Sequence, residues 1–247
     1  MFRIGRKQTS DWNFNMITLI YSYYNSGDML KEHLKEWRKF DSKHKWRAII
    51  IDDGSNEDPA LPHIIDVGFP IELYRITVDI PWNQHGARNL AAQQCKTDWM
   101  FMCDIDHVLE SSEARKILNL SLDKETGKTK FFKFNRRNKN NKELSIEKLV
   151  PFNIFLCTKI AFNQAGGYDE DYCGTYGGDG SFIRSLQKIR KKTIPQHIFL
   201  TVWGGMGTKN LDRVYYKNLY KEKLAEKKKL KDMIPKNPIR FPWERLL

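Results

Sequence analysis

Two short apolar runs that end in carboxylates constrain this chain more than any other feature. Ala48-Ile49-Ile50-Ile51 leads into Asp52-Asp53-Gly54-Ser55, and Trp99-Met100-Phe101-Met102 leads, through Cys103, into Asp104-Ile105-Asp106. A short, continuously apolar run bounded by turn residues reads as a strand buried on both faces. Acids at the tips of such strands stand at the C-terminal edge of the sheet, where open α/β folds bind ligands. Adjacent acids there are costly to desolvate unless something binds them. Asp-x-Asp with a hard divalent cation is a common way to hold a diphosphate. The pattern points to chemistry on a nucleotide-linked substrate.

The surrounding sequence supplies the rest of an alternating β/α pattern. Residues 16–21 read as a first strand, followed by a turn at Asn25-Ser26-Gly27-Asp28 that offers a helix N-cap. A helix is expected over residues 29–40, with Leu30, Leu34 and Trp37 at i, i+4 and i+7 on one face. Residues 47–51 and 71–76 read as further strands, 82–88 as a glycine-containing loop, 89–95 as the start of a helix, and 99–102 as the strand that carries the Asp-x-Asp. Strands that alternate with helices imply a parallel sheet with right-handed crossovers. The second half is less regular. Residues 130–134, 152–156 and 197–203 read as strands, 181–190 as a helix, and 211–233 as a long basic helix broken by Pro235, Pro238 and Pro242. The division expected is a tail or peripheral strand over 1–15, a nucleotide-binding half over 16–110, a second half of the same domain over 111–205, and a basic helical extension over 206–247.

With 247 residues, 40% of them hydrophobic, the chain is long enough to bury one large core. No apolar run approaches the roughly 20 residues of a membrane span, and the polar first fifteen residues lack a signal-peptide core. The expected location is cytoplasmic. Four cysteines without a Cys-x-x-Cys spacing read as reduced, mostly buried thiols. The net charge of +12 calls for an anionic partner. It is concentrated in residues 124–142, with eight Lys/Arg against one Glu, and 217–236, with eight Lys against three acids. Such runs also serve simply as solvated faces.

Each motif has a plain reading beside the chemical one. Asp52-Asp53-Gly54-Ser55 is also a turn sequence. As a site, its carboxylates accept the N3–H of a uracil ring and ribose hydroxyls. Alternation around Ile105 directs Asp104 and Asp106 to one side, while His107, the next residue, is expected to point away. Gly86-Ala87-Arg88-Asn89 opens a helix whose N–H groups and Arg88 meet phosphate or sugar hydroxyls, or it is an ordinary loop with a surface arginine. Gly166-Gly167-Tyr168-Asp169-Glu170 and Tyr176-Gly177-Gly178-Asp179 bring flexible backbone and acids to a sugar-sized ligand. Asp179 or Asp169 is then available as a general base.

Together these residues resemble the family-2 glycosyltransferases of the GT-A fold, over about residues 16–186. The resemblance is carried by Tyr23-Tyr24-Asn25 after the first strand, Asp52-Asp53-Gly54-Ser55, Gly86-Ala87-Arg88-Asn89, Asp104-Ile105-Asp106, and Phe162-Asn163-Gln164-Ala165-Gly166-Gly167-Tyr168-Asp169-Glu170 with Gly177-Gly178-Asp179 following. The last stretch also resembles the acidic Gly-Gly region of β-1,4-galactosyltransferases. The resemblance implies an inverting, metal-dependent hexosyltransferase with a Rossmann-like, mostly parallel sheet. Its donor would be a nucleotide-diphosphate sugar, UDP by family tendency, and its cation Mn²⁺ or Mg²⁺. Ser22 and Tyr24 would lie beside the nucleotide, Asp53 would read the base with Asp52 supporting, and Arg88 and Asp104 would complete the donor site. Asp106 would be the direct metal ligand, Asp104 a second, and His197 a late third. Asp179 falls on the motif that houses the base, but Gly180 replaces the second acid of that motif, so Asp169 and Glu170 remain alternatives.

The acceptor reading is a hydroxyl of a glycan or lipid-linked glycan, with the basic C-terminal segment resting on an anionic membrane. An alternative is a modified base in DNA, with Phe131, Phe132 and Phe134 stacking between Lys130, Lys133, Arg136 and Arg137. A second is an inactive nucleic-acid- or glycan-binding module.

Overall fold

The computed structural model describes residues 16–64, 67–120, 122, 128–140, 153–174, 178–190, 193–194, 197–203, 218–219, 221–222, 225 and 239–247. Its centre is a seven-stranded sheet. β1 (Ile17–Tyr23) lies between β2 (Trp46–Asp52) and β4 (Trp99–Cys103), and β3 (Ile71–Ile76) lies outside β2. These four strands are parallel, in the order β3-β2-β1-β4. Beyond β4 the sheet continues antiparallel through β8 (Phe155–Thr158) to β6 (Phe131–Lys133). A second sheet of three short strands adjoins it: β5 (His107–Val108), β9 (Phe199–Val202) and β7 (Asn135–Asn138), in that order. β6 and β7 are separated only by the buried Phe134, where the chain passes from the large sheet to the small one.

The apolar runs become central strands because both sheet faces are covered. Period-two alternation sorts their side chains into two cores. Leu19, Tyr21, Trp99 and Phe101 pack on one face with Leu30, Leu34 and Trp37 from α1 (Gly27–Trp37). Ile20, Ile49, Met100 and Met102 pack on the other with Leu90 from α2 (Gln84–Gln94) and Phe182 from α5 (Gly178–Ile189). Two helices that the sequence pattern did not reveal, α3 (Ser111–Leu118) and α4 (Lys159–Gln164), complete the layers. Cys95, Cys103 and Cys157 are buried free thiols, and Cys173 is half-buried.

Several local expectations are corrected. Ser26 precedes α1, but its hydroxyl donates to the Tyr24 carbonyl, and the Gly27 N–H is met by Asp58 Oδ2 at 2.8 Å. The loop expected at 82–88 is largely helix, because α2 begins at Gln84. Gly86 is there for close approach rather than for a turn, since a Cβ at that position would collide with the Asn83 side chain and the Phe241 ring. Phe131, Phe132 and Phe134 are all buried, which removes them from any surface stack with bases. The helical extension expected over 206–247 ends as a strand: β10 (Trp243–Arg245) adds antiparallel to β3, the outer edge of the parallel strands. Pro238 and Pro242 cannot continue a helix, and Phe241 anchors the returning chain against α2. Most of the basic helix expected over 211–233 lies outside the described residues; 218–219, 221–222 and 225 are helical. No helix among the described residues is long and apolar enough to cross a membrane.

Because Phe241 joins the C-terminal strand to α2, Phe241→Ala is expected to lower the unfolding free energy by about 3 kcal/mol. Urea denaturation at equilibrium measures this.

Candidate active site

The tips of β1 and β2 are stapled together before they present any ligand group. Asp52 is fully buried, and its two oxygens accept the N–H groups of Ser55 (2.8 Å) and Ala60 (2.9 Å). It holds the turn that carries Asp53, both of its oxygens being taken by backbone N–H groups. Gly54 sits at φ +77°, with its Cα hydrogen facing the backbone of Val78 and Asp79, a conformation and a gap that a side chain would not tolerate. Asn25, also left-handed at φ 42°, donates its N–H to Ser55 Oγ and accepts from the N–H groups of Glu57 and Asp58. Asn25 was expected only as a turn residue; its second duty, bridging two strand tips, depends on long-range placement.

Asp53 points elsewhere. Its N–H continues the ladder to the Tyr23 carbonyl at 2.8 Å, and its carboxylate accepts from Asn83 Nδ2 at 3.1 Å. Burial pushes its pKa up to about 7, with the Asn83 hydrogen bond pulling partly back. Ser22 is half-buried one residue short of the β1 tip, and Tyr24 is exposed with its hydroxyl donating to Asp79 at 3.2 Å.

The β4 tip holds the second acidic group. The chain turns at Ile105-Asp106, and the His107 N–H returns to the Asp104 carbonyl at 3.1 Å. This turn breaks the strand alternation that would have aimed His107 away. Its Nδ1 lies 2.5 Å from Asp106 Oδ1, and ligand atoms of Asp104, Asp106 and His107 all fall within 4.8 Å of one another. His107 is 3% exposed, and its Nε2 has no hydrogen-bond partner among the described residues. Two carboxylates and an imidazole with an orphaned nitrogen form a donor set that suits a first-row divalent cation. His197, the late histidine expected there, is exposed, and its carbonyl accepts from Lys116 Nζ. It lies five residues before Val202, the partner of His107 in the β5–β9 pair. At strand rise that is about 16 Å away, so His107 takes the place expected of His197.

Arg88 ties this tip to the second half of the chain. Its guanidinium is completely buried on α2. It donates to Asp104, to Asp179 Oδ1 at 2.5 Å, and to the Tyr168 hydroxyl at 3.1 Å. Asn153 donates to the other oxygen of Asp104. Burial opposes the charge on Arg88, but Tyr168, Asp179 and Asp104 outweigh it and raise its pKa. Burial also raises the pKa of Asp104, and Arg88 offsets part of that rise. Arg88 is therefore not a surface arginine: its terminal nitrogens are engaged by Asp104, Asp179 and Tyr168, while its Nε has no partner among the described residues.

The neighbouring Asn89 clamps the glycine-rich turn. Its side chain accepts the Tyr168 N–H at 2.8 Å and donates to the Tyr168 carbonyl and to Glu170 Oε1, each at 2.9 Å. Gly167, at φ +68°, leaves room for that amide. Glu170 is buried by this contact and its pKa is raised by burial. Asp169 caps the short 3-10 turn Glu170–Tyr172 by accepting the Asp171 N–H at 3.1 Å. Asp179, by contrast, lies in the first turn of α5, with one oxygen on Arg88 and its side chain 19% exposed. His85 is buried beneath Gly178, where a Cβ would strike its ring, and burial lowers its pKa to about 4. Tyr176 and Gly177 lie outside the described residues.

Comparison with known proteins now decides the family. A sequence model described as glycosyl transferase family 2 matches residues 18–177, well over half the chain. The chain belongs to glycosyl transferase family 2. No curated protein sequence matches it significantly. Among solved structures, Staphylococcus aureus TarS 1–349 in complex with UDP-GlcNAc is similar, with a TM-score of 0.63 at 12% identity, covering 78% of this chain and 59% of that one. The mannosyltransferase PcManGT from Pyrobaculum calidifontis, in complex with GDP-Man and Mn²⁺, is similar with a TM-score of 0.61 at 11% identity, covering 88% and 64%. At these identities the likeness is one of fold, and the fold is GT-A. The chain spans about three-fifths of the length of these neighbours.

Two outcomes follow from the site's electrostatics. Arg88→Met leaves Asp104 and Asp179 facing each other without their cation, and is expected to destabilise the protein by about 3 kcal/mol, read by urea denaturation. Asp53 keeps its proton in the folded state up to about pH 7, whereas in the unfolded chain it ionises near 4. The folded state thus binds more protons in between, and stability is lost as pH rises through that window. The stability advantage of Asp53→Asn over the parent is expected to grow from about pH 4 to about pH 7 and then level off, in thermal melts without nucleotide.

Proposed function

We propose that this family member transfers a sugar, with inversion, from a nucleoside-diphosphate sugar to an acceptor hydroxyl on a glycan. The observation that carries the reading is the shared guanidinium of Arg88. It holds Asp179 within one planar group of Asp104, and so sets a partly exposed carboxylate beside the Asp104-Asp106-His107 cluster. A binding module has no use for such a costly alignment of acids.

In this reading the nucleotide base lies over the β1 and β2 tips. The Asp53 carboxylate, positioned by Asn83, accepts an N–H from the base, and a UDP-sugar is the donor by family tendency. Ser22 and Tyr24 border the nucleotide. Asp106 and His107 would hold Mn²⁺ or Mg²⁺, with Asp104 alongside but already engaged by Arg88 and Asn153. When bound, the cation supplies positive charge to the diphosphate as it departs.

Asp179 acts as general base. As the acceptor oxygen attacks the anomeric carbon, the bond to the diphosphate oxygen breaks on the opposite face, and the acceptor proton passes to Asp179. The first turn of α5 and the Arg88 guanidinium fix Asp179 in place. Asp169 and Glu170 are committed to the turn that Asn89 clamps, which leaves Asp179 the better placed of the three acids.

The test is a thermal-shift screen of nucleotide sugars with and without Mn²⁺, paired with turnover assays. A UDP-sugar is expected to stabilise the protein only with the cation, because a ligand that binds the folded state alone raises its melting point. Asp106→Asn should abolish the cation-dependent shift. Asp179→Asn should keep the shift but lower turnover by about 10²–10⁴-fold. Full turnover in Asp179→Asn returns the base to Asp169 or Glu170.

A further inference from the structure

We infer that Trp203 and Lys139 form an acceptor subsite for a saccharide that carries negative charge. The inference rests on the transferase reading and names the class of acceptor.

The small sheet exists beside the acidic tip and ends there. β5 continues directly from the Asp104-Ile105-Asp106 turn, and His107 pairs with Val202 of β9. The residue that follows β9, Trp203, donates its N–H to the Asp106 carbonyl at 2.9 Å. On the other side of β9, Asn138 of β7 pairs in register with Val202, which brings the following residue, Lys139, alongside Trp203. The Lys139 ammonium lies 4.0 Å from the centre of the Trp203 ring. An aromatic ring and a cation are thus delivered, by backbone register, to the residue that the proposed function assigns to the metal.

Charge accounting separates Lys139 from its neighbours. Glu110 and Glu113 lie at the base of the same sheet and are already engaged. Arg137 donates to Glu110 at 2.8 Å and lies 3.5 Å from Glu113, while Lys116 bonds Glu113 at 2.9 Å. Lys139 is exposed and has no carboxylate partner among the described residues. Trp203 is half-buried and held at its backbone, with the exposed Lys139 ammonium over its ring. A lysine resting on an indole face at an exposed site is only weakly held, so a ligand anion readily draws it away. The exchange leaves an aromatic face for the C–H side of a sugar ring and an ammonium for its phosphate or carboxylate.

Placement favours acceptor over donor. The proposed nucleotide residues, Ser22 and Asp53, belong to β1 and β2, on one side of β4. Trp203 and Lys139 lie beyond the β4 tip on the small sheet. Inverting displacement requires the nucleophile to approach from the side away from the diphosphate. Nucleic acid is less well served: the aromatic row that would stack successive bases, Phe131, Phe132 and Phe134, is buried.

Isothermal titration of the full chain with UDP and Mn²⁺ present tests this. The charged probes are tetragalacturonate (carboxylate) and glucose 6-phosphate (phosphate). The uncharged counterparts are maltotetraose and glucose, with inorganic phosphate and a short DNA duplex as separate arms. At least one charged saccharide is expected to bind about tenfold more tightly than its counterpart, and which one does so identifies the anion. Lys139→Ala should erase that preference, Lys139→Arg should restore it, and Trp203→Ala should weaken charged and uncharged saccharides alike while Trp203→Phe retains most of the affinity. Equal affinity for charged and uncharged sugars, charged binding that survives Lys139→Ala, inorganic phosphate binding as tightly as the sugar phosphate, or duplex DNA outcompeting every saccharide overturns the inference. Donor hydrolysis by the unsubstituted protein is measured in parallel: its absence, with saccharide binding as expected, overturns the transferase reading and leaves the subsite standing.

Discussion

The buried Arg88 guanidinium is the interaction on which the rest of the site depends. A cation enclosed by protein is tolerated only when carboxylates and hydrogen bonds replace its water. Here Asp104, Asp179 and the Tyr168 hydroxyl do so, from β4, α5 and the glycine-rich turn. Each partner arrives from a different part of the chain, so satisfying one charge fixes three elements against α2. Asn89, the next residue, extends the hold to Glu170 and the Tyr168 backbone. Two adjacent side chains on one helix turn therefore join the parallel-strand half of the chain to the half that supplies the proposed base.

Around this hub, acids of identical chemistry take different roles because their surroundings differ. Asp52 is spent on backbone N–H groups and holds a turn. Asp53, one residue away, faces Asn83 in a buried setting that raises its pKa. Asp104 is paired at both oxygens, while the Asp106 side chain bonds the His107 imidazole and no other side chain among the described residues. Asp169 and Glu170 stabilise their own turn, and Asp179 keeps one oxygen away from Arg88. The division between structural and reactive carboxylates is one of hydrogen-bond supply and desolvation rather than of residue type.

Much of the frame was legible in the sequence. The strands at Ile17–Tyr23, Trp46–Asp52, Ile71–Ile76 and Trp99–Cys103 follow from short apolar runs, and α1 from the spacing of Leu30, Leu34 and Trp37. The short helices α3 and α4 and the early start of α2 were not legible, because Gly86 reads as a loop residue until Phe241 is seen to occupy the space beside it. The site was partly legible in the same way. The acidic tips of β2 and β4 follow from pattern. That Asp52 sits in a turn was one reading of its motif; that Arg88 is buried, and that His107 rather than His197 joins Asp106, were not legible, since each depends on a contact or turn that propensity does not encode. The signal for His107 was its adjacency to Asp106, which strand alternation argued against and the turn at Ile105-Asp106 reversed.

The sequence by itself determined an α/β sheet with carboxylates at its strand tips, because hydrophobic period and strand length are local properties of a chain that must bury its apolar side chains. It also determined family membership, through motifs in a fixed order. Only the tertiary structure decided which acids remain available to a ligand, which arginine is interior, and that the C-terminal residues return to pair with β3. Those outcomes depend on partners far apart in sequence, since desolvation and hydrogen bonding act through space and not along the chain.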